Sequence, residues 1–128
     1  MRYFRATLAA CLTCLLGVAL TFGHPCCAGD LPPAAEQEIV YQRDIQPLFA
    51  RSCLTCHGPD EQLSEFRVDR RRTLLEGGDF GEPGVLPGNS AESHLIQLVA
   101  GVDEDLVMPP EGEGKPLSAA EIGLVRAW

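Results

Sequence analysis

The sequence predicts a small all-α domain with three to five short helices and long loops. Apolar residues recur at spacings of three and four in several stretches, as they do on the buried face of a helix. Residues that cap helices stand at the ends of these stretches, and segments rich in Gly and Pro lie between them. The chain of 128 residues is long enough for one such domain and an export segment.

Residues 1–28 have the composition of a secretory signal peptide. Two Arg residues precede an apolar run over residues 8–22, which is too short for a membrane-spanning helix. We predict cleavage after Ala28 and therefore an exported, periplasmic protein. A lipobox-like Leu-Ala-Ala-Cys sequence ends at Cys11, at the start of the apolar run instead of its end, so membrane association through a lipid is an alternative that the sequence does not require.

The first predicted helix follows a short lead-in. Residues 29–40 contain two consecutive prolines and predict a flexible connection to a folded domain over residues 41–128. Asp44 is suited to the N-cap of the first helix, which would place Pro47 in the first turn, where a missing N–H has no partner within the helix. The apolar face of this helix consists of Tyr41, Ile45, Leu48 and Phe49.

A second helix is predicted between Asp69 and Glu76. Asp69 is suited to its N-cap, Leu74 and Leu75 are expected to face the interior, and a Gly-Gly pair follows as the stop. Residues 77–89 contain five Gly and two Pro and predict a loop with little regular structure.

The clearest helical pattern follows that loop. Either Asn89 or Ser90 can act as its N-cap, and Gly101 stands at its end. The apolar stripe of this helix consists of Ala91, Leu95, Leu98 and Val99. Residues 102–114 are then predicted to form a polar loop.

The last helix has a complete start signal. Ser118 and Glu121 are spaced as a capping box, and Leu117 and Ile122 as a hydrophobic staple. An apolar face continues to Trp128, where the sequence ends without a stop signal. We therefore expect a truncated helix at the end of this chain, and a longer protein of which the chain is the front part.

Residues 53–57, Cys-Leu-Thr-Cys-His, predict covalent attachment of haem c. Two thiols three positions apart can add to the two vinyl groups of one haem, and the imidazole that follows can bind the iron as the proximal ligand. Cys53 and Cys56 are therefore the expected thioether sites, and His57 the expected proximal ligand. A thiol redox pair or half of a zinc site is the alternative, but only His57 and His94 could complete a zinc site in the exported chain.

Met108 is the candidate for the sixth ligand of the iron. It lies 51 residues after His57, in the loop between the last two predicted helices. Pro109 and Pro110 would stiffen this loop, and a neutral thioether ligand favours ferrous iron. We expect a low-spin haem iron with His57 and Met108 as axial ligands. The alternative sixth ligand is His94, beside the apolar stripe of the third helix.

The second ring nitrogen of His57 needs a hydrogen-bond acceptor that fixes the orientation of the imidazole. A backbone carbonyl at Pro87, in the loop of residues 77–89, is a candidate for this acceptor. A simple turn would explain the same proline.

The exported part of the chain is acidic. From Gly29 onward it has eight Lys and Arg against eighteen Asp and Glu, a net charge of −10. This charge argues against nucleic acid as a partner, since phosphate binding needs clustered positive charge. The only basic run, at residues 70–72, is interpreted as a solvated helix face. An acidic surface predicts salt-sensitive docking to a basic face of a redox partner.

Several short motifs occur in a characteristic order along the exported chain. They are Arg-Asp-Ile-Gln-Pro-Leu at 43–48, Cys-Leu-Thr-Cys-His-Gly-Pro-Asp at 53–60, Phe-Arg-Val-Asp at 66–69, Gly-Gly at 77–78, Leu-Pro-Gly-Asn at 86–89, Met-Pro-Pro at 108–110 and Leu-Ser-Ala-Ala-Glu-Ile at 117–122. With these motifs, residues 41–128 resemble the planctomycete-type cytochrome c domain family.

The resemblance implies a small cytochrome c-like domain around one covalent haem c. It also implies thioethers at Cys53 and Cys56, proximal ligation by His57 and distal ligation by Met108. Such domains often precede large domains in exported proteins. We therefore expect one-electron transfer with a redox partner protein or a downstream domain of the same protein, and no catalytic residues in this chain. A haem enzyme or ligand sensor with a labile sixth position is the alternative.

Overall fold

The computed structural model describes residues 31–128, so the predicted signal peptide and its cleavage site lie outside the described part. Residues 31–128 contain four short α-helices and no β-strand, which confirms the all-α prediction. The helices are α1 (Gln46–Ser52), α2 (Arg71–Glu76), α3 (His94–Ala100) and α4 (Ala119–Ala127). A π-helical turn (Tyr41–Ile45) leads directly into α1, and two 3-10 turns (Leu63–Glu65 and Ser90–Glu92) lie in the connections.

The first helical segment begins earlier than its predicted cap. Val40 occupies the N-cap position before the π-helical turn, and Asp44 lies inside that turn. The Asp44 carboxylate accepts a hydrogen bond from the backbone N–H of Val40 at 2.8 Å and pairs with Arg43 at 2.7 Å. The prediction of Asp44 as N-cap is therefore wrong, because its carboxylate reaches back from the first turn. Pro47 is the second residue of α1, as expected for the first turn.

The cap predicted for α2 is also wrong. The helix begins at Arg71 without a side-chain cap. Asp69 binds Arg67 instead, with 2.8 Å between Arg67 Nε and Asp69 Oδ1. The guanidinium of Arg67, which is almost completely buried, takes up the carboxylate that a helix cap would need. The predicted end of α2 is confirmed, since Gly77 follows Glu76 as the C-cap.

The third helix begins three or four residues later than the sequence pattern indicates, depending on which of the two predicted caps is taken. Residues 90–92 form a separate 3-10 turn, and Ser93 is the residue that precedes α3. Ala91 is consequently exposed, whereas Leu95 and Val99 of the predicted stripe are buried. The predicted stop is confirmed, because Gly101 has the left-handed conformation, with φ of 64°.

The fourth helix has the predicted start. The Ser118 hydroxyl accepts from the backbone N–H of Glu121, and the Glu121 carboxylate accepts from the backbone N–H of Ser118. Leu117 and Ile122 are both buried. The ring of Trp128 remains 43 % exposed but lies 5.4 Å from the ring of Tyr41, centroid to centroid.

The four helices share one small core of apolar side chains. Residues 31–40 have no helix of their own, but they lie against α4, where the Ala35 N–H donates to the Gly123 carbonyl at 2.9 Å. None of the helices within residues 31–128 has the length and apolarity that a bilayer span requires. The core residues are Ile45, Leu48, Phe49, Val68, Leu74, Leu95, Ile96, Val99, Leu117, Ile122 and Val125.

Candidate functional site

A cavity of about 470 Å³ opens beside this core. Its wall combines the end of α1, the 53–57 segment, the face of α3 that contains Leu95 and Val99, and the loop that contains Met108. Most of the wall is apolar, and the volume falls within the range of about 300–1,000 Å³ that is usual for cofactor and ligand pockets. The cavity is therefore the candidate site for a bound group.

The 53–57 segment continues the chain of α1 by one further turn. The backbone N–H of Cys53 donates to the carbonyl of Phe49 at 2.9 Å, and that of His57 donates to the carbonyl of Cys53 at 2.8 Å. This turn brings Cys53, Cys56 and His57 to the same wall of the cavity. The structure thus places together the three residues that the haem c prediction requires.

Further contacts tie the end of α1 to a distant part of the chain. The buried hydroxyl of Ser52 donates to the backbone carbonyl of Lys115 at 2.7 Å. Arg51 Nη1 donates to the Glu121 carboxylate at 2.9 Å. The start of α4 therefore fixes the position from which the 53–57 segment leaves α1.

His57 is oriented by a backbone carbonyl, but not by that of Pro87. Its Nδ1 lies 3.2 Å from the carbonyl oxygen of Leu63. Since a carbonyl can only accept, this contact is a hydrogen bond when Nδ1 carries the proton, which leaves Nε2 with a free lone pair. Pro87 lines a second cavity of about 630 Å³ and lies outside the wall that includes His57, so that prediction is wrong.

Sequence reasoning missed the role of Leu63, which depends on the local path of the chain. The Leu63 N–H donates to the Cys56 carbonyl at 2.9 Å, which folds residues 57–63 back on themselves. Phe66, also missed, packs its ring edge-on to His57, with 5.7 Å between the centroids. The two residues after Leu63, Ser64 and Glu65, have positive φ values. Non-glycine residues rarely adopt such values, and no sequence pattern here indicates them.

The Cys53 thiol is poorly suited to thiolate chemistry. Cys53 and Cys56 are both free and half-buried. Burial raises the pKa of the Cys53 thiol to about 11, although the charge of Arg51 opposes the change. A redox-active cysteine needs a lowered pKa, so Cys53 lacks this feature. Within residues 31–128 there is also no group of three or more His, Cys, Asp and Glu side chains that could hold a metal ion, and this finding does not support a zinc site.

Met108 lines the same cavity as His57. Its backbone N–H donates to the Leu98 carbonyl at 3.0 Å, which attaches the Met108 loop to α3. Pro109, directly after it, is buried. The structure therefore brings the predicted distal ligand to the cavity that contains the predicted proximal ligand.

His94 also lines this cavity. Its Nε2 is buried and has no hydrogen-bond partner, whereas Nδ1 lies 3.8 Å from the carboxylate of Glu82. A buried polar atom without a partner costs about 1–3 kcal/mol, so it needs a structural or functional explanation, and a bound group is one. Two thiols, two imidazoles and one thioether in a mainly apolar cavity are a donor set that fits haem.

Comparison with known proteins agrees with this donor set. Residues 53–112 match the family model described as Planctomycete cytochrome C. This part of the chain is similar to the planctomycete cytochrome c family. The resemblance that the sequence motifs indicated is thereby confirmed. No curated protein and no solved structure gives a significant match.

The planctomycete cytochrome c segment includes every candidate haem-binding side chain. It begins at Cys53, directly after α1, and ends before α4. Similarity to a cytochrome c family suggests haem binding and electron transfer. The two helices outside the matched segment, α1 and α4, supply the support for the 53–57 segment that is described above.

Proposed function

We propose that this domain attaches one haem covalently through thioethers at Cys53 and Cys56 and transfers single electrons, with His57 and Met108 as axial ligands. The observation that carries the proposal is that these four side chains line one cavity of suitable size. The haem iron, when bound, supplies the one-electron redox change.

Several protein groups would prepare the site for this role. The Leu63 carbonyl holds Nδ1 of His57 and so leaves Nε2 available as a ligand. The apolar wall excludes water from the iron, and a thioether ligand from Met108 favours the ferrous state and raises the reduction potential. The hydrogen bond from Met108 to Leu98 positions the loop for this ligation.

A basic redox partner is part of the proposal. Residues 102–107 directly precede Met108 and are all exposed. Three consecutive acidic residues, 103–105, have an apolar residue before them and two apolar residues after them. The apolar members Val102, Leu106 and Val107 remain 40–48 % exposed. Exposed apolar side chains among charges are typical of a transient protein interface. We therefore assign this segment as the docking surface, on a domain exported by its signal peptide.

An alkaline pyridine haemochrome spectrum tests the attachment directly. The full chain is expressed with a cytochrome c maturation system, and the product is extracted with acidified acetone. We expect the haem to stay on the polypeptide with the spectrum of two thioethers. A single Cys53→Ala or Cys56→Ala variant should show the one-thioether spectrum, and the double variant should release its haem.

A colourless wild-type protein, or haem that is extracted freely from it, would overturn the proposal. Exposure of the reduced protein to carbon monoxide then tests the sixth position. A tightly bound Met108 prevents carbon monoxide binding, whereas rapid binding would instead favour a haem enzyme or ligand sensor.

A further inference from the structure

His94 has no role in the proposed ligand set, although it is the most unusual side chain of the cavity. Within residues 31–128, its Nε2 is the one buried side-chain nitrogen or oxygen found without a hydrogen-bond partner. The side chain retains only 22 % exposure, and its ring packs against the ring of Phe80 at 5.6 Å between centroids. The His94 ring is therefore held in place, and its Nε2 makes no hydrogen bond.

The backbone on either side of His94 is fixed. The hydroxyl of Ser93, which is 2 % exposed, donates to the Asn89 carbonyl at 3.1 Å and accepts from the Leu86 N–H at 2.9 Å. The N–H of Leu95 donates to the Gly84 carbonyl at 2.9 Å. His94 thus begins α3 from a position that cannot shift without breaking contacts of both neighbours.

In both imidazoles of the cavity, Nδ1 is the ring nitrogen that lies near an oxygen, at 3.2 Å in His57 and at 3.8 Å in His94. His57 has Nδ1 beside a carbonyl oxygen, and His94 has Nδ1 on the side of the Glu82 carboxylate. Histidines that bind metals usually direct one ring nitrogen to such an oxygen and use the other as the ligand. In both residues Nε2 is the ring nitrogen that lies away from this oxygen, and in His94 it has no hydrogen-bond partner.

His94 and Met108 are attached to the same part of the wall. His94 precedes Leu98 by four residues, which is about one turn of α3. Met108 is joined to Leu98 through its backbone N–H. The thioether and the second imidazole therefore approach the cavity from one structural unit, while His57 approaches from the turn after α1.

We propose that His94 is a reserve axial ligand, whose Nε2 binds the haem iron when Met108 is absent or displaced. This inference rests on the proposed function, since it requires haem bound to His57. Replacing a thioether by an imidazole removes the soft ligand that favours ferrous iron, so the exchange would lower the reduction potential. The domain would then have two potentials, set by which of two ligands is bound.

The spin state of the ferric protein tests this inference in four forms of the full chain. The wild type and His94→Ala should be low-spin with the near-infrared signature of Met ligation. Met108→Ala should remain low-spin with a two-imidazole signature and a lower potential. Met108→Ala/His94→Ala should become high-spin, and added imidazole should restore the low-spin state, which shows that its cavity is intact.

A high-spin Met108→Ala protein at neutral pH would overturn the inference. Low-spin iron in the double variant would also overturn it, and the triple variant Met108→Ala/His94→Ala/Lys115→Ala would then show whether Lys115, the one lysine in the sequence, is the ligand. Failure of the proposed function looks different, because the wild type itself would lack covalent haem. That result would remove the basis of both proposals.

Discussion

Glu121 in the first turn of α4 forms an ion pair with Arg51 near the end of α1. We expect Glu121→Gln to lower the unfolding free energy of the haem-loaded domain by about 1–2 kcal/mol. The carboxylate accepts from Arg51 at 2.9 Å and from the Ser118 backbone at 2.8 Å. Gln preserves the size of the side chain and can still complete the capping box, so the substitution removes mainly the charge.

The magnitude follows from the charge interactions of Glu121. Hydrogen bonds from Arg51 and from the Ser118 backbone lower the Glu121 pKa from 4.5 to about 2. One pKa unit corresponds to about 1.4 kcal/mol, which sets an upper limit of about 3.5 kcal/mol. The Arg51 and Glu121 side chains remain 33 % and 23 % exposed, so solvent screening reduces this figure. An exposed ion pair and a charge in the first turn of a helix each contribute up to about 1 kcal/mol.

The pH dependence has a defined sign. Folding lowers the pKa of Glu121, so its stabilising effect is complete above the ordinary value of 4.5 and disappears as the pH falls to about 2. The difference in unfolding free energy between wild type and Glu121→Gln should therefore be constant near neutral pH and shrink over this acidic interval.

Thermal and urea unfolding of both haem-loaded proteins, followed by circular dichroism, measure this difference. A loss of 1 kcal/mol lowers the Tm of a domain of this size by about 4–8 °C. Glu76→Gln is the matched control, because Glu76 pairs with Arg72 at 2.6 Å but both side chains are more than half exposed. The control should melt as the wild type does. Equal stability of Glu121→Gln and wild type at pH 7, or a difference that persists unchanged at pH 2, would refute the reasoning.

Two further predictions concern the neighbourhood of His57 and the docking surface. A Cβ at Gly84 would lie 2.7 Å from the ring of Phe66, so Gly84→Ala should cost about 1–3 kcal/mol in thermal unfolding, and adding Phe66→Leu should recover most of the loss. An unchanged Tm in Gly84→Ala would contradict this contact. The rate of electron transfer to a basic partner should fall as ionic strength rises. Neutralising the acids of residues 103–105 should lower the rate at low salt and make it depend less on ionic strength. Stopped-flow rates that do not change with ionic strength would show that this segment is not the docking surface.

Local signals in the sequence predicted the elements that depend on near neighbours. The capping box of α4 needs only residues three positions apart, and the left-handed Gly101 needs only its own lack of a side chain. The predicted caps of the first two helices failed for two different reasons. Asp44 lies inside the first turn, where its carboxylate accepts from the Val40 N–H, whereas Asp69 stands two residues from an Arg that takes up its carboxylate. The preference of Asp for N-cap positions does not take into account that a nearby Arg can bind the carboxylate.

Some residues of the candidate site could be predicted from the sequence, and others depend on the folded chain. The 53–57 motif and Met108 could be selected because their side-chain chemistry is visible in the sequence. The Leu63 carbonyl could not, because a backbone acceptor has no sequence signature, and its position depends on the rare conformations of Ser64 and Glu65. The unpaired nitrogen of His94 is likewise a property of burial in the folded chain.

The contacts of Ser52 and Arg51 with residues 115 and 121 have a consequence for the order of assembly. They join positions 63 and 70 residues apart, so they form only after the whole intervening chain is present. Until then the turn that contains the cysteine pair has no fixed support on its α4 side. We therefore expect the enzymes that attach haem to meet these thiols on an open, partly folded chain, and the arrival of the last helix to close the site over the finished product.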